Sequence, residues 1–310
     1  MLIHMELIEI EAFLAIADTG SFTKAARNLH ISQPAISRRI DLLEMDLGAP
    51  LLLRGRSGAR LTPAGEAFLP FARTIIATVR DGINAVKEVT EENRGDLLLA
   101  IVGTLASTNL LESIRTFRRE HRSIRLRLHT ANSKGVSQLV RSGDSDLGLR
   151  YFADSSGDLE NHVLGEESIV LVRAVNSTLL PDEPPTIKLL SSVPWVGFPI
   201  GSGSSGEPFA HEIERTRVRL GIEIAERITI DSLTAQKRMI EADFGIGMLP
   251  ESSIVEELRL GTLEIVDLPD ARAQAPIVLV SRKDGFRSRA METLISMLTA
   301  NHPDIPATQV

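Results

Sequence analysis

Residues 21 to 54, SFTKAARNLHISQPAISRRIDLLEMDLGAPLLLR, restrict what this chain can fold into more than any other stretch. Two short helical periods meet there at a tight break. Ser21 is placed to cap a helix in which Phe22, Ala25, Ala26 and Leu29 share one face. His30 and Ile31 form the break. Ser32 is placed to cap a second helix, with Pro34 in its first turn, where a missing N–H costs little. Ile36, Ile40, Leu43 and Leu47 recur on its apolar side; Pro34, Ser37, Arg38 and Asp41 lie opposite, and Gln33 projects from the N-terminal end. Gly48 ends the helix. The pattern predicts a helix-turn-helix whose second helix has a buried side and a polar side suited to a major groove. Two amphipathic helices and a turn are also common in proteins that never touch nucleic acid, so periodicity alone does not decide the matter.

The residue identities are more specific. Phe13, Gly20-Ser21-Phe22, Ala25-Ala26, Leu29, Ser32-Gln33-Pro34, Ser37, Leu43-Glu44, Gly48, Leu51, Arg54 and Leu61-Thr62-Pro63-Ala64-Gly65 together resemble the LysR-type transcriptional regulators. Leu52 stands where that family usually has Phe, an apolar-for-apolar exchange. The match is dense over residues 5 to 70 and is one of layout beyond. The resemblance implies a ligand-responsive regulator that binds DNA as a dimer or as a tetramer made of two dimers.

Composition bounds the remainder. A chain of 310 residues suits two or three domains. It has no run of ~20 apolar residues, so no membrane span is expected. The start, MLIHMELIEIEAF, lacks the basic and apolar regions of a signal peptide, so a cytoplasmic protein is expected, with Met5 as an alternative start. The absence of cysteine excludes disulfides, thiolate zinc sites and thiol redox sensing. The seven histidines are scattered, and neither a metal nor a cofactor is expected. The net charge of −7 does not announce a nucleic-acid partner, and even residues 1 to 62 are balanced. Position matters more than the sum: the basic residues cluster at the motif and in the RGRSGAR loop after it.

Residues 51 to 62 read as a β-wing, with LLLR and RLT flanking the basic turn GRSGA. Arg54, Arg56 and Arg60 are placed to lie along phosphates or to enter the minor groove. The DNA-binding set is therefore Ser32, Gln33, Pro34, Ser37, Arg38, Arg39, Arg54 and Arg56. Thr62 then caps a helix of ~43 Å at 1.5 Å per residue, running from Pro63 to about Glu92. Leu69, Ala72, Ile76, Val79, Ile83, Val86 and Thr90 alternate in steps of three and four along it, which is a heptad seam. A second copy of the same helix is its simplest partner, and Ile76, Val79, Ile83 and Val86 are assigned to dimerisation.

Beyond Asn93-Arg94-Gly95 the pattern is α/β. Strands are expected at 97–102, 125–130, 146–151, 169–175, 195–198, 223–230, 245–250 and 275–280, with helices at 104–120, 133–141, 208–220, 233–242 and 286–300 and a disordered tail. The chain is expected to leave the first lobe near Leu164-Gly165 and to return near Leu268-Pro269. The fold class is thus multidomain: an all-α-rich winged helix-turn-helix domain at 1–62, a linker helix at 63–92, and an α/β two-lobed domain at 93–310. The lobes comprise about 95–164 with 269–302, and about 165–268. The resemblance makes this last domain a periplasmic-binding-protein-like effector domain.

Ligands of α/β lobes sit at the carboxyl ends of strands, near helix N-termini. Three such ends are 103-GTLAS-107, Asn132-Ser133 and 199-PIGSGSSG-206, and Arg150 ends another strand. Thr104, Leu105, Ser107, Ser133, Arg150, Ser202 and Gly203 are the effector-binding candidates, and the set suits a small carboxylate. Each has a plainer reading as a helix cap, a loop or a surface ion pair. Gly245 and Gly247 are expected to permit close packing. Two other functions are weighed. One is a solute-sensing protein that uses the helix-turn-helix only as an interaction module; the other is an enzyme built on the two lobes. No nucleophile elbow, P-loop or dinucleotide fingerprint supports the enzyme.

Overall fold

The computed structural model describes residues 4–55, 58–90, 95–107, 110–181, 184–200, 207–268 and 271–300. The chain forms two compact units, residues 1–92 with 141–144 and residues 93–140 with 145–310. The first holds α1 (Leu7–Thr19), α2 (Phe22–Asn28), α3 (Gln33–Leu47), the hairpin β1 (Leu52–Gly55) and β2 (Gly58–Leu61), and α4 (Pro63–Thr90). Ser21 and Ser32 cap α2 and α3 as their spacing predicts, accepting from the N–H groups of Lys24 and Ala35. His30 makes the break in the left-handed region at φ 55°. Ile10, Phe13 and Ile16 of α1 close over Ala25, Ala26, Ile36, Ile40 and Leu43 in one core.

The wing is tied to that core at two points. Oε1 of Glu44 accepts the N–H groups of Leu51 at 2.7 Å and Leu52 at 3.0 Å. The Ala59 N–H donates to the Gly20 carbonyl at 2.8 Å. Thr62 starts α4 by accepting from the Gly65 N–H at 3.0 Å while donating to the Pro50 carbonyl at 2.6 Å. This brings Gly65 so close to the wing that a Cβ there would lie 2.1 Å from the Leu51 carbonyl oxygen.

The apolar seam of α4 changes character along its length. Ala72 and Ile76 are buried in the core of the first unit, so Ile76 packs within its own chain. The early turns of α4 are the fourth wall of the helical head, so Ile76, assigned above to dimerisation, is already covered within one chain. Val79, Ile83 and Val86 are 38%, 50% and 64% exposed.

In the second unit β3 (Gly95–Val102) leads through a 3-10 turn (Gly103–Ser107) to α5 (Leu110–Glu120). Then come β4 (Ile124–Ala131), α6 (Ser133–Arg141), β5 (Leu147–Tyr151) and β6 (Leu159–Ala174). After these follow α7 (Ile187–Ser192), β7 (Pro194–Gly197), α8 (Pro208–Arg219), β8 (Glu226–Thr229) and α9 (Leu233–Glu241). The chain continues through β9 (Gly247–Pro250), a second 3-10 turn (Glu251–Ile254), α10 (Val255–Leu260), β10 (Leu263–Ile265), β11 (Ala273–Arg282) and α11 (Arg289–Ala300). One sheet runs β10-β6-β11-β5-β3-β4, with β9 also on β6; β7 and β8 pair separately. β3 is parallel to β4 and β5, whereas β11 is antiparallel to β5 and β6.

The two lobes share β6 and β11. The register slips where Ile277 faces Gly165 and Val278 faces Val163, which leaves Leu164 as the extra residue of a bulge. The outward crossing expected near Leu164-Gly165 is therefore a bend inside a continuous strand. Pro269, in the expected return, lies outside the described residues. The strand expected at 169–175 begins ten residues earlier, at Leu159, where LENHVLGEES mixes charges with apolar residues and pairing with β11 makes it strand. The helix expected from Thr104 begins at Leu110, because a 3-10 turn first seats Leu105 in the core. Residues 187–192, 255–260 and 263–265 are further elements that the sequence pattern does not reveal. Gly245 and Gly247 do pack closely: a Cβ on either would come within 2.7 Å of a β7 carbonyl oxygen, that of Pro194 or Val196.

The clearance at Gly65 has a measurable consequence. Gly65→Ala should destabilise the first unit by about 1–3 kcal/mol through overpacking. Gly82→Ala, with nothing within 4 Å of the new methyl, should stabilise α4 by about 0.5–1 kcal/mol. Urea unfolding of the two variants beside the parent chain measures both, and equal stabilities would refute the steric argument.

Candidate functional site

The first candidate surface is the polar side of α3. Ser32, Gln33, Pro34 and Arg38 are exposed, and Ser37 and Arg39 are half-buried. Ile36, Ile40 and Leu43 anchor the opposite side, so the helix is held by its core and offers one face outward. The Ser32 hydroxyl accepts from the Ala35 N–H at 3.3 Å and is thereby engaged as the helix cap. Thr23, at the start of α2, donates to Oε1 of Gln33 at 3.4 Å and steadies the leading side chain of α3. Thr23 is missing from the sequence-based set; its place one residue inside the first capped helix is the available signal. In the wing Arg54 pairs with Ala59 across the hairpin, and Arg60 is exposed. Arg56 lies outside the described residues.

The second candidate site lies between the lobes. Thr104, in the turn after β3, donates to the Tyr151 hydroxyl at 3.2 Å. Tyr151 ends β5, is fully buried, and packs on Phe209 of α8 with ring centres 4.8 Å apart. Burial raises its pKa above the ordinary phenol value, so it stays a neutral hydroxyl. Ser133 opens α6. Its N–H donates to Oε2 of Glu207 at 3.0 Å, and its hydroxyl donates to the other oxygen of the same carboxylate. Glu167, on β6, is buried and accepts from the Ser252 N–H at 3.1 Å and the Ser252 hydroxyl at 2.8 Å. Burial pushes its carboxyl above the usual range, and the bonds from Ser252 partly offset this.

The remaining effector candidates fare differently. Leu105 is buried in the core, which gives it a packing role. Ser107 belongs to the 3-10 turn after β3. Ser202 and Gly203 lie outside the described residues. Arg150 is 6% exposed, and its guanidinium donates to Oδ2 of Asp154 at 2.6 Å, to the Tyr151 carbonyl at 3.3 Å and to the Ser137 hydroxyl of α6. The pleat of β5 explains this placement. Neighbouring side chains on a strand point to opposite faces, so Arg150 lies on the α6 side and Tyr151 on the other. The cation at the strand end is internally paired, and the residue offered beside Thr104 is the chain's one tyrosine. Glu207 and Tyr151 are both absent from the sequence-based set.

A small pocket elsewhere in the second lobe is lined mainly by apolar side chains, among them Trp195, Phe198, Ile213 and Met248, with Arg217 and Arg227, and includes none of these groups. Among the described residues no set of three His, Asp or Glu is placed to hold a metal, and no helix is long and apolar enough to cross a membrane.

A winged helix-turn-helix head joined to a two-lobed α/β domain defines a DNA-binding regulatory protein with an effector domain. Residues 7–66 match the family model for bacterial regulatory helix-turn-helix proteins of the lysR family, and residues 90–303 match the LysR substrate binding domain. The chain belongs to the LysR family and is a DNA-binding transcriptional regulator. It is 28% identical over 282 residues to the HTH-type transcriptional regulator TfdS of Cupriavidus pinatubonensis strain JMP 134, covering 90% of this chain and 93% of that protein. Its fold is similar to that of full-length CbnR complexed with its target DNA, at 24% identity and a TM-score of 0.61 over 96% of this chain and 99% of that one. It is also similar to a single-residue variant of full-length OxyR from Pseudomonas aeruginosa, at 19% identity and a TM-score of 0.67 over 95% of each chain.

The internal role of Arg150 is testable. Arg150→Ala removes the ion partner of the half-buried Asp154 carboxylate, and should cost about 1–3 kcal/mol of stability by denaturant unfolding. A residue that served only an incoming ligand would leave stability unchanged.

Proposed function

We propose that residues 1–62 read an operator of two half-sites, that residues 63–92 pair two chains, and that residues 93–310 sense a small anionic effector in the cleft. The observation that carries the DNA reading is the outward face of α3, where Gln33, Pro34 and Arg38 stand exposed over a buried apolar side. In this reading Gln33, Ser37 and Arg38 meet base edges, and Pro34 meets a thymine methyl. Ser32 and Arg39 flank them, and Arg54, Arg56 and Arg60 of the wing contact phosphate or minor groove. The complex of CbnR with its target DNA supports this use of the fold. The protein works in the cytoplasm as a regulator rather than an enzyme, as a dimer or a pair of dimers.

Operator titrations test the head. Arg38→Ala should cost about 1–3 kcal/mol on the cognate site and relax preference at one base pair. Arg60→Ala should weaken cognate and random DNA alike and reduce the salt dependence. Equal losses on both DNAs for Arg38→Ala would remove that residue from base readout.

Pairing rests on the exposed half of the α4 seam. Burying one Val or Ile is worth about 1.5–3 kcal/mol. Val79→Asp with Ile83→Asp should therefore separate the chains in sedimentation and abolish the cooperative binding of a pair to a two-half-site operator. Binding to a single half-site should survive in weakened form, because the core around Ile76 lies within one chain. Unchanged assembly would show that another surface joins the chains.

A further inference from the structure

The strongest unexplained feature of the cleft is a carboxylate from one lobe seated on a helix of the other. α6 begins with Asn132 as its cap, whose side-chain oxygen accepts the Gly135 N–H at 2.8 Å. That leaves the Ser133 N–H, one of the amides with no partner inside its own helix, to point outward at the positive end of the helix dipole. Ser133 adds its hydroxyl, and Glu207 takes both donors with its two carboxylate oxygens. Glu207 is the residue just before α8. Its carbonyl accepts the His211 N–H at 3.1 Å, yet its side chain makes no bond to the amides of its own helix. The carboxylate has left one helix N-terminus to serve another, 74 residues away in sequence.

The surroundings make this a seat with one place. Ser133 is 0% exposed, so its donors are covered while Glu207 is present. The start of α8 is fixed by Phe209, which lies against Tyr151 and meets Phe198 edge-on at 6.0 Å between ring centres. The neighbouring Thr104–Tyr151 pair is neutral, and Arg150 is bound to Asp154. The charge on the seat therefore comes from Glu207.

We infer that Glu207 is a tethered carboxylate that occupies the anion seat of α6 and holds the lobes together without an effector, so that an anionic effector acts by displacing it. This rests on the reading of the cleft as the effector site. A tethered group competes at an effective concentration in the millimolar range or above. A bare carboxylate is thus excluded, and a ligand wins only by adding contacts to its charge. Glu207 sets both the threshold and the selectivity of the site, and its departure is the conformational event that a ligand can couple to the rest of the protein.

The test restores the missing side chain from solution. Because the natural chain has no cysteine, Arg118→Cys on α5 and Arg259→Cys on α10 let a dye pair report lobe separation in the full-length protein. Glu207→Ala should increase that separation. Propionate, a free carboxylate with the three carbons of the glutamate side chain, should reverse the change and bind the variant at least tenfold more tightly than it binds the parent. Propionamide and propylammonium should not. Glu207→Gln, which keeps the shape and one acceptor, should lie between parent and Glu207→Ala, and adding Ser133→Ala, which deletes the hydroxyl and leaves the N–H, should weaken the response to propionate. Equal propionate binding by parent and Glu207→Ala, or an unchanged separation in a folded variant, overturns the inference. Operator titration of the same proteins separates the two readings. Operator binding without a propionate response condemns the tethered carboxylate alone, whereas a propionate response without operator binding condemns the regulatory reading alone.

Discussion

The antiparallel pair of β6 and β11 is the constraint on which the second unit is built. Their register runs from Leu159 opposite Arg282 to Ile169 opposite Ala273, and each strand serves different neighbours on the two sides of the bulge at Leu164. Beyond the bulge β6 carries β9 and β10, while β11 continues into β5 and so to β3 and β4. Both lobes thus hang on one two-stranded ribbon whose backbone hydrogen bonds are shared. A bulge concentrates twist at one point and gives such a ribbon a place to bend without breaking its ladder. Side-chain contacts across the cleft, rather than the connections themselves, then decide how closed the lobes are.

Those contacts are chemically mixed. On one side Tyr151 and Phe209 form an apolar contact, worth about 0.5–1.5 kcal/mol beyond the area it buries. Beside it Glu207 meets Ser133 through charged hydrogen bonds of the kind that contribute about 1.5–3 kcal/mol each. The apolar contact positions α8, and the charged one can be replaced by a ligand of the same sign. Glu167 differs from Glu207 in this respect, because the two donors of Ser252 already bind it within its own neighbourhood of β6 and the second 3-10 turn.

The head is legible in the sequence because its determinants are local. Ser21, Ser32 and Thr62 start helices three residues from the amides that they cap, and the spacing of Ile36, Ile40 and Leu43 defines which side of α3 is buried. The cleft is legible only in part. Strand ends mark Thr104 and Ser133, but strand position does not say to which face a side chain points, so the sequence offers Arg150 where the structure places Tyr151. Glu207 has no local signal, since its partner lies in another lobe. The seam of α4 shows a third kind of ambiguity. Its heptad spacing is continuous from Leu69 to Thr90, yet Ile76 faces the core of its own head and Ile83 faces outward. Periodicity records that a face is apolar and is silent about whose atoms cover it.

The place of β11 in the sheet governs how the protein is made. The first unit has all its core residues by Ile76, so on a growing chain it can close soon after α4 has left the ribosome. The second unit cannot, because the strand that sits between β5 and β6 is residues 273 to 282. Until those residues emerge, β5 and β6 present unpaired edges, and pairing across such a sequence distance is slow because the loop must close before any contact rewards it. During synthesis the chain therefore passes through a stage with a finished head and an unfinished sheet, and that is when it is most exposed to aggregation.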